Sequence, residues 1–189
     1  MNVFFIGMGY MGKERLKTII NFKKKYKLNV VGYYDPQTKS IKINNLQIKS
    51  EKSLSLNYLN KKNISLCIIS TPHNLMLKYA SLCLRSLKNI HLFIEKPMGL
   101  NFEEAKKIYS LKNKNQKIFI GLNYRYFEGI SLMLDDIKKR KFGKINSLLI
   151  NFGHGHNPYM LNSWKLKKKY AGGGVILDPG IHILNLIQL

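Results

Sequence analysis

Acidic residues are scarce in this chain: 10 Asp and Glu stand against 32 Lys and Arg, a formal net charge of +22. Arginine is scarce as well. Only Arg15, Arg85, Arg125 and Arg140 occur, so nearly all the positive charge is lysine, scattered apart from small knots at Lys23 to Lys25, Lys138 to Lys141 and Lys167 to Lys169. Readers of nucleic acid lean on arginine forks and cluster their charge on one element, so specific nucleic-acid binding is not expected. The charge speaks first of solubility and non-specific attraction, and it would draw in an anionic ligand such as a nucleotide. Cysteine is limited to Cys67 and Cys83, both in apolar segments, a pattern that fits neither a disulfide framework nor a zinc site. Long hydrophobic runs are missing. None approaches the roughly 18–20 apolar residues a membrane span needs, and the run Val3–Ile6 breaks at Gly7 before it could serve as a secretion signal. No membrane partner is expected, and the chain reads as a soluble cytoplasmic protein. His154 and His156 alternate, but no third ligand accompanies them, so no metal is expected.

What is present is enough for a core. Of the 189 residues 45% are hydrophobic and 11% aromatic, sufficient for one domain and part of another. Short apolar runs at Val3–Ile6, Leu28–Tyr34, Ile64–Ile69, Ile90–Ile94 and Ile118–Gly121 read as buried parallel strands. Between them lie stretches of helical spacing, with apolar stripes at Tyr79, Leu82, Cys83 and Leu87 and at Phe102, Ala105, Ile108 and Tyr109. The alternation predicts an α/β fold, a Rossmann-type doubly wound parallel sheet. The pattern changes near Lys117. A helix closing over Asp135–Lys141, a strand over Lys144–Phe152, a loop rich in His, Asn and Pro, and a final helix suggest the beginning of an α+β second domain. The expected domains are residues 1–122 and 123–189.

The stretch VFFIGMGYMGKERLKTI carries Gly7, Gly9 and Gly12 in G-x-G-x-x-G spacing, after a strand and opening a helix. Gly7 suits the tight turn, Gly9 a close approach to a pyrophosphate, and Gly12 close packing of helix on strand. The unpaired N–H groups of the helix N-terminus would face the phosphates, so Tyr10 and Met11 join the cofactor-binding set. Asp35 ends the second strand, 23 residues past Gly12, where a carboxylate would meet the adenosine ribose. Asp35 favours NAD over NADP by repelling a 2′-phosphate, while Lys39 nearby would soften that preference. Two further strand ends, Ser70-Thr71-Pro72 and Glu95-Lys96-Pro97, fall at the carboxyl edge of the sheet, where ligands bind in this architecture.

At EKP the chain resembles the Gfo/Idh/MocA oxidoreductases. The resemblance runs from Met1 to Leu189 through GMGYMG, STP, HLFIEKPMGLNFEEAKKI, GLNYRYFEGI, FGKINSLLI and WKLKKKYAGGGVILDPGIHILNL. It implies a hydride exchanged between a nicotinamide cofactor and a ring hydroxyl of a sugar, sugar nucleotide or cyclic polyol. Lys96 takes the place of the reactive lysine, polarising the carbonyl oxygen; His182 would be the general base, with Asp178 orienting or charge-stabilising the pair. A neutral imidazole suits that role, because it titrates near neutral pH. If Asp178 caps a helix starting at Pro179, it and His182 share one face. The resemblance also assigns Ser70, Thr71, Pro72, Glu95, Lys96, Asn123, Trp164 and Lys165 to the cofactor, and Arg125 to the nicotinamide or substrate. Tyr124 and Tyr126 stand nearby, as stacking groups or plain core aromatics. Met76 departs from the family, which often has histidine there. Family members usually continue further, so the resemblance implies an incomplete second domain and a homo-oligomer for a full-length form.

Overall fold

The structure, a computed structural model, describes residues 1–43, 46–152 and 163–189. The chain divides into two compact units, Met1–Gly121 and Leu122–Leu189.

The first unit is built on five parallel strands: β1 (Asn2–Ile6), β2 (Asn29–Tyr34), β5 (Leu66–Ile69), β6 (His91–Ile94) and β7 (Ile118–Ile120), in the order β2-β1-β5-β6-β7. The reversal of order beside β1 is the point where crossovers switch sides and a crevice opens at the carboxyl ends of the strands. The central strands β1 and β5 are buried on both faces, which is why their runs lack polar alternation, whereas Phe119 on edge strand β7 is exposed. Phe4, Ile6, Cys67, Ile69, Leu92 and Ile94 point into one core layer, closed by α2 (Leu56–Lys61), α3 (Met76–Ser86) and α4 (Phe102–Ser110). Val3, Phe5, Ile68 and Phe93 point into the other, closed by α1 (Tyr10–Phe22) and an antiparallel hairpin of β3 (Ser40–Ile43) and β4 (Leu46–Lys49). Full burial of a side chain such as Phe4 or Ile6 contributes about 1.5–3 kcal/mol.

The helices follow their local chemistry. In α4 the Asn101 side chain accepts from the Glu104 amide, Glu104 accepts from the Leu100 amide, and two acidic residues sit at the positive end of the helix. The stripe expected on α4 is narrower than its spacing suggested, because Ile108 is buried while Phe102 and Tyr109 are exposed. The α3 stripe packs through Tyr79 and Cys83, joined by Ala80 and Leu84. Cys67 and Cys83 are both buried free thiols, their sulfurs 3.7 Å apart. Burial pushes the Cys67 thiol well up, which leaves it little thiolate and little reactivity.

The second unit holds a turn at Tyr124–Tyr126, α5 (Glu128–Lys138), a turn at Trp164–Leu166, α6 (Lys168–Ala171), a π turn at Ile176–Gly180 and α7 (Ile181–Ile187). The helix expected to close at Lys141 ends at Lys138. The strand expected over Lys144–Phe152 is absent. Those residues are irregular, and Leu149 is 87% exposed. A lone strand cannot satisfy its backbone groups, and no strand stands among the described residues of this unit to pair with it. His154 and His156 lie outside the described residues. Among those described, no helix is long and apolar enough to cross a membrane, and no three His, Cys, Asp or Glu side chains gather as a metal site.

Candidate functional site

The glycine turn sits where β1 meets α1. Gly7 has φ +89°, and a Cβ there would stand 2.5 Å from the Ser70 carbonyl oxygen, so only glycine fits. A Cβ on Gly12 would overlap the Gly7 carbonyl oxygen, which fixes how closely α1 approaches the strand. Gly9 is different, since a Cβ there would meet nothing within 4 Å. The protein's own packing does not require it to be bare, and the space before it is open. Gly9 is also the N-cap of α1, with no side-chain cap and no acidic residue in the first turn. Among the described residues, no side chain accepts from the leading N–H groups of this 13-residue helix. That is the electrostatic requirement for holding a phosphate.

Asp35 lies directly behind this turn. Its Oδ2 accepts from the Met8 amide at 2.6 Å, and its Oδ1 accepts from the Gln37 and Thr38 amides at 2.8 Å each. The carboxylate therefore ties the end of β2 to the glycine turn. An ionised carboxylate accepts about four hydrogen bonds, so one more acceptor position remains for a ribose hydroxyl. Across the crevice, Ser70 Oγ and Asn74 Oδ1 are buried yet make no hydrogen bond among the described residues. Buried polar atoms normally find a partner, and these orphaned acceptors at the strand edge fit a polar ligand in the crevice. Thr71 is nearly buried, its Cγ2 would touch a Cβ on Gly7, and its hydroxyl donates to Met76 Sδ at 3.7 Å. Pro72 precedes a short turn, His73–Leu75. Met76 is fully buried in the core, so it serves as packing.

Glu95 has a role the sequence did not reveal. It is only 7% exposed, and its Oε1 accepts from Arg15 Nε at 2.6 Å. The Arg15 guanidinium lies over the Phe93 ring, 5.0 Å from its centroid. The other oxygen, Oε2, would be 2.7 Å from a Cβ on Gly121. One carboxylate thus joins α1 and the ends of β6 and β7, immediately before half-buried Lys96 and its cis peptide bond to Pro97. Reading Glu95 beside Lys96 gave no sign of this partner 80 residues away; Arg15 is the residue that was missed.

The remaining expected positions belong to the second unit. Asp178 is inside the π turn, and α7 begins at Ile181 without a side-chain cap, so the expected capping by Asp178 is not found. Its oxygens instead receive the Lys165 ammonium at 3.0 and 3.1 Å. Lys165 and Trp164 are held in their turn by the Ser163 side chain, which accepts from the Lys165 amide. The glycines before the π turn let the chain bend there, Gly172 with φ +82°. His182 is 5% exposed and stacks on Tyr124, ring centroids 4.0 Å apart and planes 8° from parallel. Asn123 opens the turn holding Tyr124 and Arg125, and the Arg125 guanidinium donates to Asn185 Oδ1.

A parallel sheet with a crossover reversal, a bare glycine turn and an uncapped helix N-terminus define a dinucleotide-binding domain of the Rossmann type. A family model described as oxidoreductase family, NAD-binding Rossmann fold, matches residues 1–124, and the chain belongs to this Gfo/Idh/MocA family. Among curated proteins it is similar to levoglucosan dehydrogenase of Pseudarthrobacter phenanthrenivorans, 24% identical over the whole chain and 50% of that relative. An oxidoreductase subunit from Amycolatopsis mediterranei, named for UDP-kanosamine synthesis, is 20% identical over 96% of the chain and 49% of the relative. The chain therefore spans about half the length of the curated relatives it matches. Among solved structures, the WlbA dehydrogenase of Bordetella pertussis in complex with NADH and UDP-GlcNAcA aligns with TM-score 0.79 at 19% identity, covering 100% of this chain and 54% of that one. Levoglucosan dehydrogenase in complex with NADH and levoglucosan aligns with TM-score 0.75 at 22% identity, covering 100% and 53%. At such identities these two likenesses show the fold.

Proposed function

We propose that this chain is the coenzyme-binding domain (residues 1–122) and the beginning of the substrate domain (residues 123–189) of an NAD-dependent oxidoreductase acting on a ring hydroxyl or ketone of a sugar, sugar nucleotide or cyclic polyol. The observation that carries this reading is the open, uncapped N-terminus of α1 in front of Gly9. The pyrophosphate would rest there, with Asp35 accepting from the ribose and Ser70 Oγ lining the crevice. NAD, when bound, supplies the hydride acceptor or donor. The residues of the chain do the rest. Lys96 directs its amine at the substrate oxygen and stabilises charge developing on it. His182 takes the hydroxyl proton at an imidazole nitrogen. Asp178, neutralised in part by Lys165, holds the charge balance around the base. A bare carboxylate at the ribose favours NAD over NADP, because a 2′-phosphate would add like charge beside it. NADH should accordingly bind this chain about tenfold or more tightly than NADPH, measured by fluorescence titration. Equal affinities would remove Asp35 from its assigned place.

The enzyme reading rests on turnover. In a longer chain containing these residues, Lys96→Ala should lower kcat with sugars or polyols by about a hundredfold or more. Normal turnover of that variant would refute the role of Lys96. A second reading, a coenzyme-binding module without turnover, is favoured by the irregular and exposed residues Lys144–Phe152, where a substrate wall would need a paired strand. NADH binding by the 189-residue chain with no redox activity across a carbinol panel would support the module.

A further inference from the structure

We propose that Tyr124 is a positioning residue for His182, a stacking platform that fixes the plane of the imidazole and favours its protonated form. This rests on the reading of His182 as the proton acceptor. The two rings lie face to face, 4.0 Å between centroids and 8° from parallel. Tyr124 is itself held on other sides. Phe127 stacks on it at 5.2 Å, and Phe152 meets it edge-on at 5.6 Å. A ring enclosed in this way cannot rotate away from the imidazole without displacing its neighbours.

A second contact fixes the same helix independently. Arg125, the next residue, donates from Nε at 3.1 Å and from Nη2 at 2.8 Å to Asn185 Oδ1. His182 and Asn185 are three apart on α7 and share a face, so the Tyr124–Tyr126 turn grips α7 at two points on one side. Translation of the helix is opposed by the fork on Asn185, and rotation of the imidazole by the stack.

The stack engages the face of the imidazole and not its nitrogens, which lie at the ring edge where a proton must arrive. It also changes the cost of accepting that proton. An aromatic face carries partial negative charge and attracts a cation held over it, so the imidazolium gains more from Tyr124 than the neutral ring does. Among the described residues, the ionisable groups on the elements packed against α7 are Tyr124, Arg125 and Tyr126 in the turn, and Asp178 in the π turn, paired with Lys165. Arg125 opposes protonation, Asp178 assists it less because Lys165 neutralises it, and α7 itself carries no other titratable side chain.

The test is a proton NMR titration of the imidazoles in the 189-residue chain, with the His182 signal assigned by its loss in His182→Gln. Tyr124→Leu should lower the His182 midpoint by roughly half a pH unit, while Tyr124→Phe, which keeps the π face, should hold it within about 0.2 units. Tyr124→Met fills similar volume without a ring and should match the Leu variant; it carries the test if Tyr124→Leu does not fold. An unchanged midpoint in a folded Leu or Met variant would overturn the proposal. So would a Phe variant that falls as far as Leu, because the hydroxyl and not the ring would then be responsible. The titration reads the imidazole directly, so its result stands apart from whether His182 acts as the base, which turnover of His182→Gln in a longer chain decides.

Discussion

Gly9→Ala should bind NADH at least about tenfold more weakly than the unaltered chain and still melt at the same temperature, because its added methyl meets only a ligand. Gly12→Ala should behave differently. Its methyl would overlap the Gly7 carbonyl oxygen, so α1 must move off the strand or the turn must open. Either response should cost about 2 kcal/mol or more of stability and abolish detectable NADH binding. The pair separates two requirements that sequence motifs merge: Gly12 is bare for the protein, Gly9 for the ligand. Fluorescence titration and thermal melting on both variants read the two effects independently. Equal loss of stability in both would mean that the space before Gly9 is not a ligand site.

The second large effect concerns Arg15. Arg15→Met leaves the nearly buried Glu95 carboxylate, packed against Gly121, without its cation. Breaking one side of such a pair costs about 3–5 kcal/mol, chiefly because an uncompensated charge stays buried. Urea unfolding followed by far-UV circular dichroism should show that loss. Adding Glu95→Gln to Arg15→Met should restore most of it, since a neutral amide needs no cation. The pair stands one residue from Lys96, so the single variant should also disturb the strand end that presents the amine. A double variant no more stable than Arg15→Met alone would mean that the guanidinium acts through packing on Phe93 and not through charge.

The five parallel strands were legible because each is a short apolar run bounded by polar residues or glycine, and the runs agree with the strands to within about two residues at their ends. The glycine turn was legible because its spacing is local, Gly7 to Gly12, although the atom that keeps Gly7 bare is the carbonyl oxygen of distant Ser70. The β3–β4 hairpin was not read, although Ile41, Ile43 and Ile48 alternate with polar neighbours on either side of Asn44-Asn45, the period-2 signal of a half-buried hairpin. Lysine and glutamine at the intervening positions hid it in a chain already rich in lysine. The expected strand at Lys144–Phe152 failed for the opposite reason. Its alternation is compatible with a strand, but pairing depends on a partner that spacing cannot supply.

Within the site, what could not be read was contact between distant residues. Asp35 was placed at the ribose by its distance from Gly12, yet three backbone amides hold its carboxylate, one of them in the glycine turn itself. Asp178 was considered as a cap only for a helix starting at Pro179, and α7 starts at Ile181. The Lys165 ammonium holds it instead, across 13 residues of chain. Arg15 offered no sign of its partner, since an arginine in a basic chain looks like solvated charge until Glu95 is seen beneath it. Tyr124 was read as a stacking group or a plain core aromatic, but His182 as the ring it stacks on, far along the chain, was not.

The central claim is that a dinucleotide's pyrophosphate rests on the N-terminus of α1. Nitrogen–proton correlation spectra of the 189-residue chain, recorded while NADH is added, test it most directly. The amides of Gly9, Tyr10, Met11 and Gly12 should move together and saturate with the affinity seen by fluorescence. Saturable binding that leaves those four amides in place while shifting others would contradict the claim.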